Sequence, residues 1–261
     1  MAAPDLVRDL ARRLTPGLMA DRARRYERRY RERMGVTAVA EAIAGDRRVS
    51  AGPFAGMQLR ASLAEVDVAS AKLVGSYERE IADIFSDAIA AGVPAFVDVG
   101  CADGYYAVGM AFASSATTTY AFDLAPSARR ICRETAQANR VAERVRIGGR
   151  CDAAALRVLP LQGALVLLDI EGAEVDFLDG ETADLLAHCQ IVIEVHEDNL
   201  PGAGASLRKR FAATHLARAV TQAPRDPADY ERLAGLSVEQ ARLALAEHRG
   251  PALHWLVLTP R

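Results

Sequence analysis

The sequence predicts an α/β fold: a parallel sheet with helices on both faces, preceded by a helical extension. Three observations predict it. From residue 95 onward short apolar runs alternate with helical patterns at least four times, and only crossover helices join parallel strands that way. The first run, Phe96-Val97-Asp98-Val99, ends in a glycine-bearing loop, Gly100-Cys101-Ala102-Asp103-Gly104, that opens a helix. Finally, 51% of the 261 residues are hydrophobic and 25% are charged, enough apolar material for a full core without disulfide staples.

Each element follows from its own pattern. Residues 4–46 carry Leu6, Leu10 and Leu14, then Tyr26 and Tyr30, at four-residue spacing among arginines and acids, as on a solvated helix. Gly35 and Gly45 are breaks. Residues 47–62 place Val49, Met57 and Leu59 around Gly52-Pro53 and Gly56, which suggests two short extended pieces about a turn. Residues 72–92 read as one helix with the stripe Ile81, Ile84, Phe85, Ile89 and a cap at Gly92.

The regular part then runs strand 95–100, helix 105–114, strand 118–124, helix 125–140, strand 145–149, strand 164–170, helix 172–188 and strand 190–196. Beyond it, 206–217 and 238–249 look helical, 215–222 holds a strand, and 253–259 is a last strand containing Trp255. The division expected is a helical extension with a short extended segment over 1–70 and a catalytic domain over 71–261.

Composition excludes several classes. No apolar run approaches the roughly 18 residues of a membrane span. The net charge of −2 gives no overall bias toward nucleic acid. Residues 1–34, however, hold ten arginines against five acids. That segment could bind RNA or an acidic partner, or be a solvated helix that caps the site or packs in a homodimer; the second reading is preferred. Cys101, Cys132, Cys151 and Cys189 form no zinc-ligand spacing. With no signal-like apolar run at the start, the expectation is a cytoplasmic protein with reduced thiols.

The chemistry-bearing residues cluster at strand ends, where open α/β sheets bind ligands. The Gly100–Gly104 spacing is not the GxGxxG of a pyrophosphate site, so the loop is either a close-approach cradle or a tight turn. Asp123 ends the second strand about 20 residues after that loop, the place of a ribose-binding carboxylate, or else caps the next helix. Asp152, after the third strand, could accept from an adenine amino group or cap the short helix behind it. Asp169 and Glu171 end the strongly apolar strand 164–170 and face the crevice. Strand alternation puts Glu194 and His196 on one side of strand 190–196. Glu194 in that apolar setting needs a partner, and His196 could act as a general base.

Taken together, DVGCADGYYAVGMA, FDL, DIEGAEVDFLDG and IVIEVHE resemble the class I S-adenosylmethionine-dependent methyltransferases, and more narrowly the FkbM-like family, over residues 72–200. The resemblance implies a Rossmann-like sheet and S-adenosylmethionine as cofactor. It implies that Gly100, Ala102 and Gly104 line the methionine half, that Asp98 lies near the amino group, that Asp123 with Leu124 holds the ribose, and that Cys151 and Asp152 lie by the adenine. Asp169 would sit beside the methyl group and the acceptor. Cys101 and Asp103 depart from the family pattern of the first loop.

The implied reaction is O-methylation of a small-molecule or sugar-containing acceptor, with Asp169, His196 and Glu171 as candidate bases. Intramolecular chemistry on the cofactor, RNA methylation and non-catalytic binding are the alternatives. Asp169, Glu194 and His196 could hold a divalent metal, but a hydrogen-bond network is the expectation there, and no metal is assigned.

Overall fold

In the computed structural model, residues 35–61, 63, 68–247, 249–250 and 252–261 are described. The Arg-rich stretch 1–34, with Tyr26 and Tyr30, lies outside them, and so does most of the predicted first helix.

The described chain begins with α1 (Val36–Ala44), bounded by Gly35 and Gly45. Residues 47–62 contain an antiparallel bridge between Arg48 and Gln58, the two extended pieces expected about a turn. The single helix expected over 72–92 is instead two, α2 (Ala69–Val74) and α3 (Ala82–Ala91), joined through a 3-10 turn at Arg79–Ile81. Gly75 makes the break. Its φ is +84°, and a Cβ there would lie 2.2 Å from the carbonyl oxygen of Ala51. Periodicity alone does not see that close approach.

Seven strands form one sheet in the order β3-β2-β1-β4-β5-β7-β6. The strands are β1 (Ala95–Val99), β2 (Thr118–Phe122), β3 (Val145–Gly148), β4 (Leu165–Leu168), β5 (Gln190–Val195), β6 (His215–Thr221) and β7 (His254–Pro260). The first five are mutually parallel, and β7 runs antiparallel between β5 and β6. The crossovers are α4 (Tyr105–Ala113), α5 (Pro126–Ala138), α6 (Ala153–Arg157) and the pair α7 (Glu174–Phe177) and α8 (Gly180–Leu185). Helix α9 (Ala203–Phe211) follows β5, and α10 (Val238–Leu245) precedes β7. The helix expected over 172–188 is thus broken, because Asp179 accepts a hydrogen bond from the Thr182 N–H and starts a new helix at Gly180. The helix expected over 206–217 lies at 203–211, and its last residues belong to β6.

Helices cover both faces, and period-2 alternation feeds two cores. Phe96, Leu165, Leu167, Val192 and Trp255 point to one side, with Phe54, Phe85 and Met110. Val97, Val166, Leu168, Ile193 and Leu256 point to the other, with Leu156 and Phe211. Val39, Ile43, Phe54 and Met57 belong to the first core, so residues 36–61 share a core with the sheet. By the same alternation Asp98 and Glu194 lie on the Phe96 side, and Asp169 and His196 continue that phase past the ends of β4 and β5.

Candidate functional site

The C-terminal ends of β1 to β4 open on a cavity of about 520 Å3. It forms where strand order reverses, with β1 leading outward to β2 on one side and to β4 on the other, the place where open α/β sheets bind ligands. Gly100, Asp123, Leu124, Cys151, Asp169 and Glu171, all expected site residues, line it.

Gly100 makes the crevice possible. Its φ is +97°, and a Cβ there would fall 1.7 Å from the Asp169 carbonyl oxygen, so β1 and β4 can approach only over a glycine. The Asp169 N–H donates to the Val99 carbonyl (3.0 Å), and the Gly100 N–H to that of Phe122 (2.8 Å). Asp123 ties the glycine loop to β2: its carboxylate accepts from the Ala102 N–H (3.0 Å) and from the Ala125 N–H (2.8 Å). A carboxylate has about four acceptor positions, so two remain for a ligand.

Other expected positions lie differently. Asp152 accepts from the Ala155 N–H (3.0 Å) and caps α6, the capping alternative raised above. Asp98, Ala102 and Gly104 are not among the residues lining the cavity. Asp98 is buried one residue inside the end of β1, and its Oδ2 has no hydrogen-bond partner among the described residues. Burial, with Asp123 and Asp103 nearby, pushes its carboxyl up to about 8. Ala102 holds φ +45°, and the N–H it gives Asp123 fixes the loop. A Cβ at Gly104 would meet the Cys132 sulfur at 2.8 Å, so this glycine serves packing.

The catalytic candidates come together at the ends of β4 and β5. His196 is buried, and its Nδ1 lies 2.9 Å from Glu174 Oε1. Its Nε2 lies 3.8 Å from Asp169 Oδ1 and 3.6 Å from Glu171 Oε2. Burial works against the charge on His196, but the bond to Glu174 and the nearby carboxylates raise its pKa on balance. Glu174 is held below the usual carboxylate range: burial opposes its charge, while His196 and the Gly172 N–H (3.0 Å) favour it. Burial pushes Asp169 up to about 7, with Glu78 and Glu171 adding to it. Burial likewise raises Glu194, reinforced by Asp169 and Glu78, while Arg249 works against them by stabilising the charged form.

Sequence reasoning left several of these residues without a role. Glu174 stands inside the DIEGAE motif, and only the fold shows it beneath His196. Arg249 is the partner Glu194 needed; it also binds Glu78 and Glu247 (2.9 Å) and lies 4.9 Å over the Trp255 ring. Lys72 forms a buried pair with Asp103 at 2.8 Å. That lysine, one of only two in the chain, is the one charged residue of a buried helix, which was the available signal.

No family model and no curated protein matches this chain. Solved structures do. The rRNA methylase from Streptococcus thermophilus matches at 10% identity and TM-score 0.49, over 70% of this chain and 97% of that one. Cofactor-bound Rv0187 from MTB matches at 13% identity and TM-score 0.48, over 99% and 98%. The O-methyltransferase TomG from Streptomyces achromogenes, solved with SAM, matches at 13% identity and TM-score 0.45, over 67% and 77%. No helix among the described residues is long and apolar enough to cross a membrane.

Proposed function

We propose that this protein is an S-adenosylmethionine-dependent methyltransferase acting on a hydroxyl of a small-molecule or sugar-containing acceptor. One observation carries the reading: a single cavity is lined at once by a side-chain-free cradle at Gly100, a strand-end carboxylate at Asp123, and Asp169. The residues suit the cofactor. Asp123 keeps free acceptor positions for ribose hydroxyls. Gly100 leaves room for a ligand against the backbone. Asp98, buried below the loop with its carboxyl raised to about 8, carries little charge at neutral pH and does not line the cavity.

The cofactor, when bound, supplies an activated methyl group. The protein's task is alignment and proton removal. Asp169, held near neutrality, can keep or accept a proton at working pH. His196, fixed by Glu174, presents Nε2 toward the same point, with Glu171 at the rim.

Calorimetric titration with S-adenosylmethionine and S-adenosylhomocysteine, with mass spectrometry of the mixture, tests this reading. Both ligands should bind, and the first should stay intact without an acceptor. Asp123→Ala should weaken binding by about 1–3 kcal/mol, the scale for hydrogen-bond partners left unpaired. Absence of binding refutes the proposal. Consumption of cofactor without any homocysteine-containing product would move the chemistry onto the cofactor itself.

A further inference from the structure

We propose that Asp169, Glu171 and His196 form a binding site for one divalent transition cation of the Mn2+ or Zn2+ class. One donor atom from each lies within 4.8 Å of the other two. The His196 Nε2 distances of 3.6 and 3.8 Å are too long for hydrogen bonds. They are close to what a cation requires: with metal–ligand distances of about 2.1 Å, neighbouring ligands stand roughly 3.0–3.4 Å apart. The two carboxylate oxygens lie within 4.8 Å of each other, and the exposed Glu171 side chain is the one free to turn inward.

Two further observations aim these atoms at a ligand. His196 is 9% exposed, yet its Nε2 makes no hydrogen bond among the described residues and points between two carboxylates. Its other nitrogen meets Glu174, whose second contact is the Gly172 N–H. A carboxylate behind the ring fixes Nδ1 as the protonated nitrogen and leaves the Nε2 lone pair facing outward, the usual support of a metal-binding histidine. In addition, Asp169 Oδ1 is fully buried, receives no N–H among the described residues and lies against the Glu194 carboxyl, so two acids crowd one point and a cation there would offset their repulsion. The imidazole ligand favours a borderline transition ion over Mg2+ or Ca2+. Glu194, on the same side of the sheet, is committed to Arg249 and is not a ligand.

Cation binding stands independently of methyl transfer; its consequence rests on that reading. Asp169 and Glu171 line the cavity, so a cation there would meet the acceptor's hydroxyl oxygen. Asp169 and His196 would then serve as ligands. The acceptor's O–H would lose its proton to water, because a metal-bound oxygen is far more acidic. The oxygen's electron pair would form the new bond to the methyl carbon as the carbon–sulfur bond breaks, its electrons returning to sulfur and S-adenosylhomocysteine leaving.

The test uses the full chain, stripped with a chelator and free of cofactor and acceptor. Mn2+ is titrated and the free ion is read by electron paramagnetic resonance. One site per chain tighter than about 1 mM is expected. Glu171 has an 84% exposed side chain, so Glu171→Ala should keep the fold, checked by circular dichroism, and weaken Mn2+ at least about tenfold. Glu174→Gln, which leaves the three ligands in place, should weaken it about 10–100-fold. Absence of a site in that range, or wild-type affinity in both variants, overturns the proposal. Titration with S-adenosylmethionine, run separately, tells failure of the cation site from failure of the methyltransferase reading.

Discussion

Replacing Arg249 with methionine should cost about 3–5 kcal/mol, the scale for stripping one partner from a buried ion pair. The guanidinium contacts three carboxylates. The side chains of Glu78, Glu194 and Glu247 are 3%, 6% and 0% exposed, and that of Arg249 is 8% exposed. They do not suffer equally. Glu247 keeps Arg225 at 2.5 Å, and Glu78 keeps the Tyr106 hydroxyl at 2.5 Å. Glu194 keeps no cation and already lies against Asp169. Urea unfolding followed by tryptophan fluorescence reads the loss directly, since Trp255 stacks beneath Arg249. With a slope of about 2–3 kcal/mol/M, the midpoint should fall by roughly 1–2 M. Glu194→Gln in the Arg249→Met background should recover about 1 kcal/mol or more, because it removes the stranded charge. A loss below about 1 kcal/mol for Arg249→Met, or strict additivity in the double variant, would refute the argument that Arg249 holds this end of the sheet by charge compensation.

Three further outcomes follow from the same structure. Gly100→Ala places a methyl group against the Asp169 carbonyl and keeps a positive φ; it should cost about 2–4 kcal/mol and lower the melting temperature by roughly 5–15 °C, and an unchanged melting curve would show that β1 and β4 can part freely. Asp98, at about 8 when folded against its ordinary value of 3.8, binds more protons folded than unfolded between those values. Its contribution therefore makes stability fall as pH rises from about 4 to 8 and level off above; Asp98→Asn should flatten that slope in urea midpoints at pH 5.5 and 8.5, and parallel slopes would remove Asp98 as its source. Lys72→Met strands Asp103 in a buried setting and should cost about 3 kcal/mol or more, with Lys72→Met/Asp103→Asn recovering much of it; no recovery would mean that the lysine acts through packing alone.

The parallel core was legible because its signal is local. The strands β1, β4 and β5 are short, largely apolar runs, and the alternation of Phe96 with Val97, or of Leu167 with Leu168, already sorts the two cores. The crevice was legible too: glycine at 100 and carboxylates at 123 and 169 mark strand ends in the chain itself. The breaks at Gly75 and Asp179 were not, since one depends on the Ala51 carbonyl and the other on a cap competing with a continuing apolar stripe. Partners far apart in sequence were hidden for the same reason. Glu194 announced that it needed a counter-charge, but Arg249 is named only once β7 comes to lie beside β5. The position of β7 between β5 and β6 has no local signature.

The placement of β7 also orders events in time. As the chain emerges from the ribosome, β1 to β4 and their helices can assemble as each crossover is completed. β5 then waits. It ends at Val195, and the strand that covers its open side begins only at His254. Until then its row of backbone groups is an exposed edge, a template for pairing with another chain. Glu194 lies in this strand, and the arginine that neutralises it arrives with the same late segment. Truncation or stalling before residue 254 should therefore release a species that is folded in its first half, sticky along one edge and carrying an uncompensated buried acid. Such a species is far more prone to aggregate than the finished protein.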